Sequence, residues 1–209
     1  MKLHTYVVRY DSGFAPNPFY GYCTLATCKP TIRRSAHIDD WLVGCGSNDK
    51  AVRRGGHLVY AMRVTEILDF RAYGTDPRFS MKIPYRTGSR KQSCGDNIYF
   101  PDEMGERWLQ RDSFHSKPSG KPNSEHIDRD TRVDRVLISD DFVYFGGYGP
   151  LFPASLRDFH GLDVCKTGRG VTGIVNAELI AAFVTWLRSL SVTGYQAAPL
   201  EWKMLRENS

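Results

Sequence analysis

Cys23, Cys28 and Lys29 stand near the end of the stretch DSGFAPNPFYGYCTLATCKP, residues 11–30, which packs an acid, three prolines and four aromatics into a segment without helical or strand periodicity. A thiolate is a strong nucleophile and a nearby ammonium favours its charged form, so Cys23 or Cys28 is a candidate nucleophile. Either His37 or His115 would be its general base. Asp11, which opens the stretch, would with His115 form an acid and base pair that needs no thiol. Cys23 and Cys28 stand in C-x4-C spacing, yet no second cysteine or histidine pair follows at zinc-site spacing, so neither a metal nor a cofactor is expected. G-x-S-x-G, Walker and dinucleotide fingerprints are lacking, which argues against a serine hydrolase of that type, a P-loop NTPase and a Rossmann dehydrogenase.

Recognition is the leading expectation, and catalysis the alternative. The chain carries a formal charge of +5 with a pI near 9.0, and its cations cluster beside aromatics. That balance favours contact with phosphate. Lys29, Arg33, Arg34, Arg78 and Lys82 are the candidates to hold it. Phe19 or Trp41 would stack on a base, and Asn17, Asp96 and Asn97, with Asp11, would read polar base edges.

The elements that must position these groups read as an α+β fold. LHTYVVRY alternates as a strand and delivers Asp11 to the loop. Pro16 and Pro18 hold APNPF extended, giving the loop a rigid rim. Trp41 to Val43 is an apolar run closed by Gly44 and Gly46, and GGHLVYAMRVTEIL reads as one long strand. Residues 117–131 are polar and are expected to form a flexible loop with little core. Val136 to Ile138 and Phe142 to Phe145, around Ser-Asp-Asp, read as a hairpin. Near the end, Asn176 is an N-cap, Glu178 suits the first turn, and Leu179, Phe183, Trp186, Leu187 and Leu190 recur at helical spacing. Strands without βαβ alternation, followed by a late amphipathic helix, imply a mostly antiparallel sheet or barrel.

At 209 residues and 41% hydrophobic composition, one domain over 1–209 suffices. Five irregularly spaced cysteines fit reduced thiols in the cytoplasm. No apolar run is long enough for a bilayer, and Arg9 and Asp11 interrupt the start, so neither a membrane span nor a secretory signal is expected.

The segments YVVRYDSGFAPNPFYGYCTLATCKP, IRRSAHIDDWLVGCGS, LVYAMRVTEIL, DPRF, CGDNIYF and RVLISDDFVYFG resemble the second of the nucleotide modification associated domain families of bacteria and phages. Asp39 departs from that resemblance, which leads one to expect glycine before Asp40. DDWLVGCGS followed by LVYAMRVTEIL is also similar to PUA-like domains such as EVE, ASCH and YTH modules. These resemblances imply a PUA-like pseudo-barrel, a base-modification pathway, and a nucleic acid or nucleotide carrying a modified base as partner, bound under the 11–30 loop. Other proteins of a modification system are expected as further partners. The alternative is an enzyme that installs, processes or removes the modification through Cys23/Cys28 or Asp11/His115.

Overall fold

The computed structural model describes residues 1–50 and 52–202. In chain order the elements begin with β1 (Leu3–Val8), β2 (Cys23–Leu25), α1 (Pro30–Ser35), β3 (Trp41–Gly46), β4 (Leu58–Arg63) and β5 (Glu66–Leu68). Next come α2 (Phe70–Thr75), a 3-10 helix (Pro77–Lys82), α3 (Arg90–Ser93), β6 (Tyr99–Pro101), β7 (Trp108–Gln110) and α4 (Ser124–Thr131). The last are β8 (Val136–Ser139), β9 (Asp141–Tyr144), a 3-10 turn (Gly146–Tyr148), α5 (Ala154–Arg157), β10 (Val171–Ile174), α6 (Ala177–Ser189) and β11 (Gly194–Tyr195). The class is α+β, as its patterning implies. Among the described residues no helix is long and apolar enough to cross a membrane.

The chain gathers into two compact units. One comprises Met1–Ser12, Ala36–Thr65 and Ser139–Ser209. Its sheet runs β10-β1-β3-β4-β9-β11, with β1–β3 and β9–β11 parallel and the other neighbours antiparallel. The sheet is therefore mixed, and because β10 and β11 are its two edges it stays open; the pseudo-barrel expected from the PUA-like resemblance does not form. Helix α6 packs Leu179, Ile180, Phe183 and Leu187 onto the sheet residues Leu3, Trp41, Val43 and Ala61. It begins where Asn176 Oδ1 accepts from the Leu179 N–H at 2.8 Å, satisfying one of the donors that a helix start leaves open. Gly44 in β3 is required by its neighbours, since a Cβ there would run into the Tyr60 ring and Val8. Asp39 adopts φ 70°, a left-handed conformation that glycine takes freely and aspartate tolerates, which accounts for the glycine expected there.

The second unit comprises Gly13–Ser35 and Glu66–Ile138. It holds the sheet β2-β8-β5, the antiparallel pair β6–β7, and helices α1 to α4. Phe14, Phe70, Tyr73, Phe79, Ile98, Tyr99, Val136 and Ile138 belong to its core.

Two local readings change in three dimensions. The run read as one strand over 58–68 divides into β4, which pairs with β9, and β5, which pairs with β8. For the same reason β8 and β9 are not a hairpin: each follows its own partner into a different sheet. Within 117–131, read as a loop, residues 124–131 form α4, started by Ser124 with Glu125 in its first turn.

Candidate active site

Cys28 follows β2 at a sharp bend into α1. Both Cys28 and Lys29 have positive φ, 59° and 40°, which is uncommon for residues with a side chain. Arg33, fully buried in α1, holds the bend in place. Its Nε donates to Cys28 O at 3.0 Å, Nη1 to Val133 O at 2.6 Å and Arg135 O at 2.9 Å, and Nη2 to Asp130 O at 2.5 Å. One guanidinium thereby satisfies four carbonyls and joins the bend to the C-terminal end of α4.

The Cys28 thiol lies 3.4 Å from His115 Nε2. His115 sits on a tight turn in which Ser116 N–H donates to Ser113 O and His115 N–H donates to Ser113 Oγ. Its other ring nitrogen, Nδ1, is 2.9 Å from Asp130 Oδ2. Cysteine, imidazole and carboxylate are thus in contact in that order. With Nδ1–H donated to the carboxylate, Nε2 of the neutral ring is left to accept the thiol proton. The ring is further fixed edge-on to Phe14 and His126, at centroid distances of 4.7 and 4.4 Å.

Asp130 is the anchor of this arrangement. It is completely buried, and its carboxylate accepts from Tyr99 OH at 2.9 Å, Cys28 N–H at 3.1 Å and Arg129 Nε at 3.0 Å as well as from His115. Burial alone would raise its pKa. Hydrogen bonds and charge from His115 and Arg129 outweigh burial and hold it well below the usual carboxylate range. Burial likewise disfavours His115 as a cation, but its bonds to Asp130 and Cys28 prevail and the ring titrates above its ordinary value. Lys29, half-buried beside the thiol, has its pKa lowered by burial.

The other candidate residues have different surroundings. Cys23 is fully buried, and burial pushes its thiol far up, although the Lys82 charge pulls the other way. Asn17, Lys82, Asp96 and Asn97 are buried in a polar cluster. There Lys82 Nζ donates to Asn17 O, Asn17 Oδ1 and Tyr22 O at 3.0, 2.6 and 3.0 Å. Asp96 accepts from Thr24 and Tyr73 hydroxyls, each at 2.7 Å, and the Asn97 amide donates to Tyr73 O and Phe79 O. With Asn17 and Thr24 exchanging backbone hydrogen bonds at 2.9 Å, this cluster clamps the 11–30 loop from within. Phe19 is 2% exposed, and Trp41 lies in the core of the first unit with its ring against Phe183. Arg33 has its donors engaged by the four carbonyls around the bend. Arg78 pairs with Glu66 and Asp76 and covers the Phe79 ring, while the Arg34 carbonyl accepts from Arg135. Asp11 accepts from Tyr144 OH and from the Leu200 N–H within the first unit, and burial raises its pKa to about 6.

Sequence reasoning names Cys28 and His115 but passes over Asp130, Arg129 and Tyr99. One signal was available: on a helix beginning at Ser124, Asp130 shares a face with Ile127, which turns the acid toward apolar surroundings.

No curated protein and no solved structure matches the chain. Residues 1–206 match nucleotide modification associated domain 2, and the chain belongs to that family, whose description points to a role in nucleotide modification pathways.

Proposed function

We propose that the protein is a thiol enzyme of a nucleotide modification pathway and transfers or hydrolyses an acyl group through Cys28. The observation that carries this reading is the placement of both His115 nitrogens, one at 3.4 Å from the Cys28 thiol and the other at 2.9 Å from a buried carboxylate. His115 Nε2 takes the thiol proton, and the Asp130 charge stabilises the imidazolium. The thiolate adds to the carbonyl carbon of an amide or ester, forming a C–S bond and a tetrahedral oxyanion. The C–N or C–O bond then breaks, and the imidazolium gives its proton to the leaving group, leaving a thioester on Cys28. An amine or water attacks that thioester, His115 takes the incoming proton, and the C–S bond breaks with return of a proton to the sulfur. A base that receives and returns a proton in each half-reaction suits acyl transfer, because both halves expel a group that must be protonated.

Recognition of a modified base through Asn17, Phe19, Asp96 and Asn97 would need surfaces that are buried, and apart from Asn97 Oδ1 their side-chain polar groups are bonded within the cluster. Cys28, by contrast, is half-buried at a bend with its thiol against His115. Mixing the protein with p-nitrophenyl acetate tests the reading. A burst of about one equivalent of nitrophenolate is expected, with acetate on Cys28 and no burst in Cys28→Ser. An adduct confined to lysines, or a burst that survives Cys28→Ser, would remove it.

A further inference from the structure

A cavity of about 290 Å³ and one of about 220 Å³ indent the two units, the smaller in the unit that carries the triad. The smaller is lined by Arg86, Asp112, Ser113, Phe114, Ser116 and Lys117, and its wall is predominantly polar. It is formed by the same turn that presents His115. The Phe14 ring meets His115 at 4.7 Å and Phe114 at 5.7 Å, so it touches both the triad histidine and a residue of the cavity wall.

The lining is chemically divided. Arg86 lies over the Phe114 ring, its Cζ 4.5 Å from the ring centroid, and donates to Ser93 O at 3.3 Å. Lys117 brings a second cation on a turn closed by Lys117 N–H to Lys121 O and Gly120 N–H to Lys117 O. Gly120, at φ 78°, permits that turn, and a Cβ there would approach Asp112 Oδ2 to 3.3 Å. The two serines are structural, since Ser116 Oγ accepts from Ser113 N–H and Ser113 Oγ from His115 N–H. The groups left to meet a ligand are two cations, one carboxylate and a phenyl ring that is 44% exposed.

We infer that this cavity is the phosphate and sugar subsite of a nucleotide substrate, with the base against Phe114. Arg86 and Lys117 take the phosphoryl oxygens, the guanidinium through its planar fork and the ammonium as a point charge. Asp112 accepts from a sugar hydroxyl. A volume of about 220 Å³ is below the usual range for a complete small-molecule site, which fits a subsite for the phosphorylated end alone. The inference deepens the thiol-enzyme reading and rests on it for the chemistry after binding. The phosphoryl group belongs either to a free nucleotide or to a nucleic-acid strand.

Calorimetric titration of the full chain with adenosine 5′-monophosphate, adenosine and a short single-stranded oligoadenylate tests it. Binding of a phosphorylated ligand but not of adenosine is expected, with a loss of about tenfold in each of Arg86→Gln and Lys117→Gln. A monophosphate that binds identifies a free nucleotide as the source, whereas binding by the oligonucleotide alone identifies a strand. Adenosine binding as tightly as its monophosphate, or unchanged affinity in the double variant, would overturn the assignment. Acetylation of Cys28 by p-nitrophenyl acetate, followed in the same variants, separates the two claims. If Cys28 is acetylated while the substitutions leave nucleotide affinity unchanged, the subsite fails alone; if affinity falls but Cys28 is inert, the catalytic reading fails alone.

Discussion

Replacing His115 with glutamine should slow alkylation of Cys28 by iodoacetamide at neutral pH by about 10- to 100-fold. The imidazole stands 3.4 Å from the thiol sulfur and is held by Asp130 at 2.9 Å, so it can both accept the proton and stabilise the sulfur anion. A hydrogen bond to a charged partner contributes about 1.5–3 kcal/mol, and each 1.4 kcal/mol is a factor of about ten. Glutamine is too weak a base to take the proton, and as a neutral group it offers no positive charge. Labelling reports one site because Cys23, Cys45, Cys94 and Cys165 are all buried to 1% exposure or less, leaving Cys28 as the thiol within reach of the reagent. The assay is the time course of the modified Cys28 peptide by mass spectrometry, with thermal unfolding as a control. Asp130 retains Tyr99, Arg129 and the Cys28 N–H in the variant, so the fold should persist. Equal rates in the folded wild type and variant, or first labelling at another cysteine, would refute the reasoning.

Three further outcomes concern the scaffold. Asp11 has a pKa of about 6 when folded against 3.8 as the ordinary value, so between these the folded state holds a proton that the unfolded state has lost. Stability should therefore fall by about 3 kcal/mol as pH rises through that window, and Asp11→Asn should flatten this slope in denaturant titrations. Arg33→Met should cost about 3–5 kcal/mol in urea unfolding, because it strips the donors from four carbonyls around the Cys28 bend. Gly44→Ala should lower stability by about 1–3 kcal/mol, since its methyl must displace the Tyr60 ring, and the shift in melting temperature would show it.

How much could be read from the chain depends on the range of the interactions involved. Helix α6 was legible because its cap and apolar stripe lie within one short segment, and β1, β3 and β4 because their patterning is local. The partners of β8 and β9 were not, since β5 and β4 lie far back in the chain and adjacency suggested a hairpin. The 11–30 stretch stands out by its composition, but residue type alone does not tell a ligand-facing Asn17 from one that meets Lys82, 65 positions away. Burial makes that distinction, and burial depends on the whole unit. Asp130 was missed for a related reason: a carboxylate in a polar run looks solvated until the helix turns it inward and brings it to Cys28, 102 positions earlier. The basic residues repeat the lesson, as Arg33 serves the backbone while Arg86 and Lys117, on two separate turns, face a cavity.

The charge state of His115 tests the triad most directly. Its ring should titrate above the ordinary value of 6.5 in the wild type, where burial opposes the cation but Asp130 and Cys28 favour it more strongly. Histidine NMR across pH, compared with Asp130→Asn and Cys28→Ser, reads this at one residue. The account predicts a midpoint above 6.5 that moves down in each variant. A wild-type midpoint at or below 6.5, or one that neither substitution moves while the protein stays folded, would contradict it.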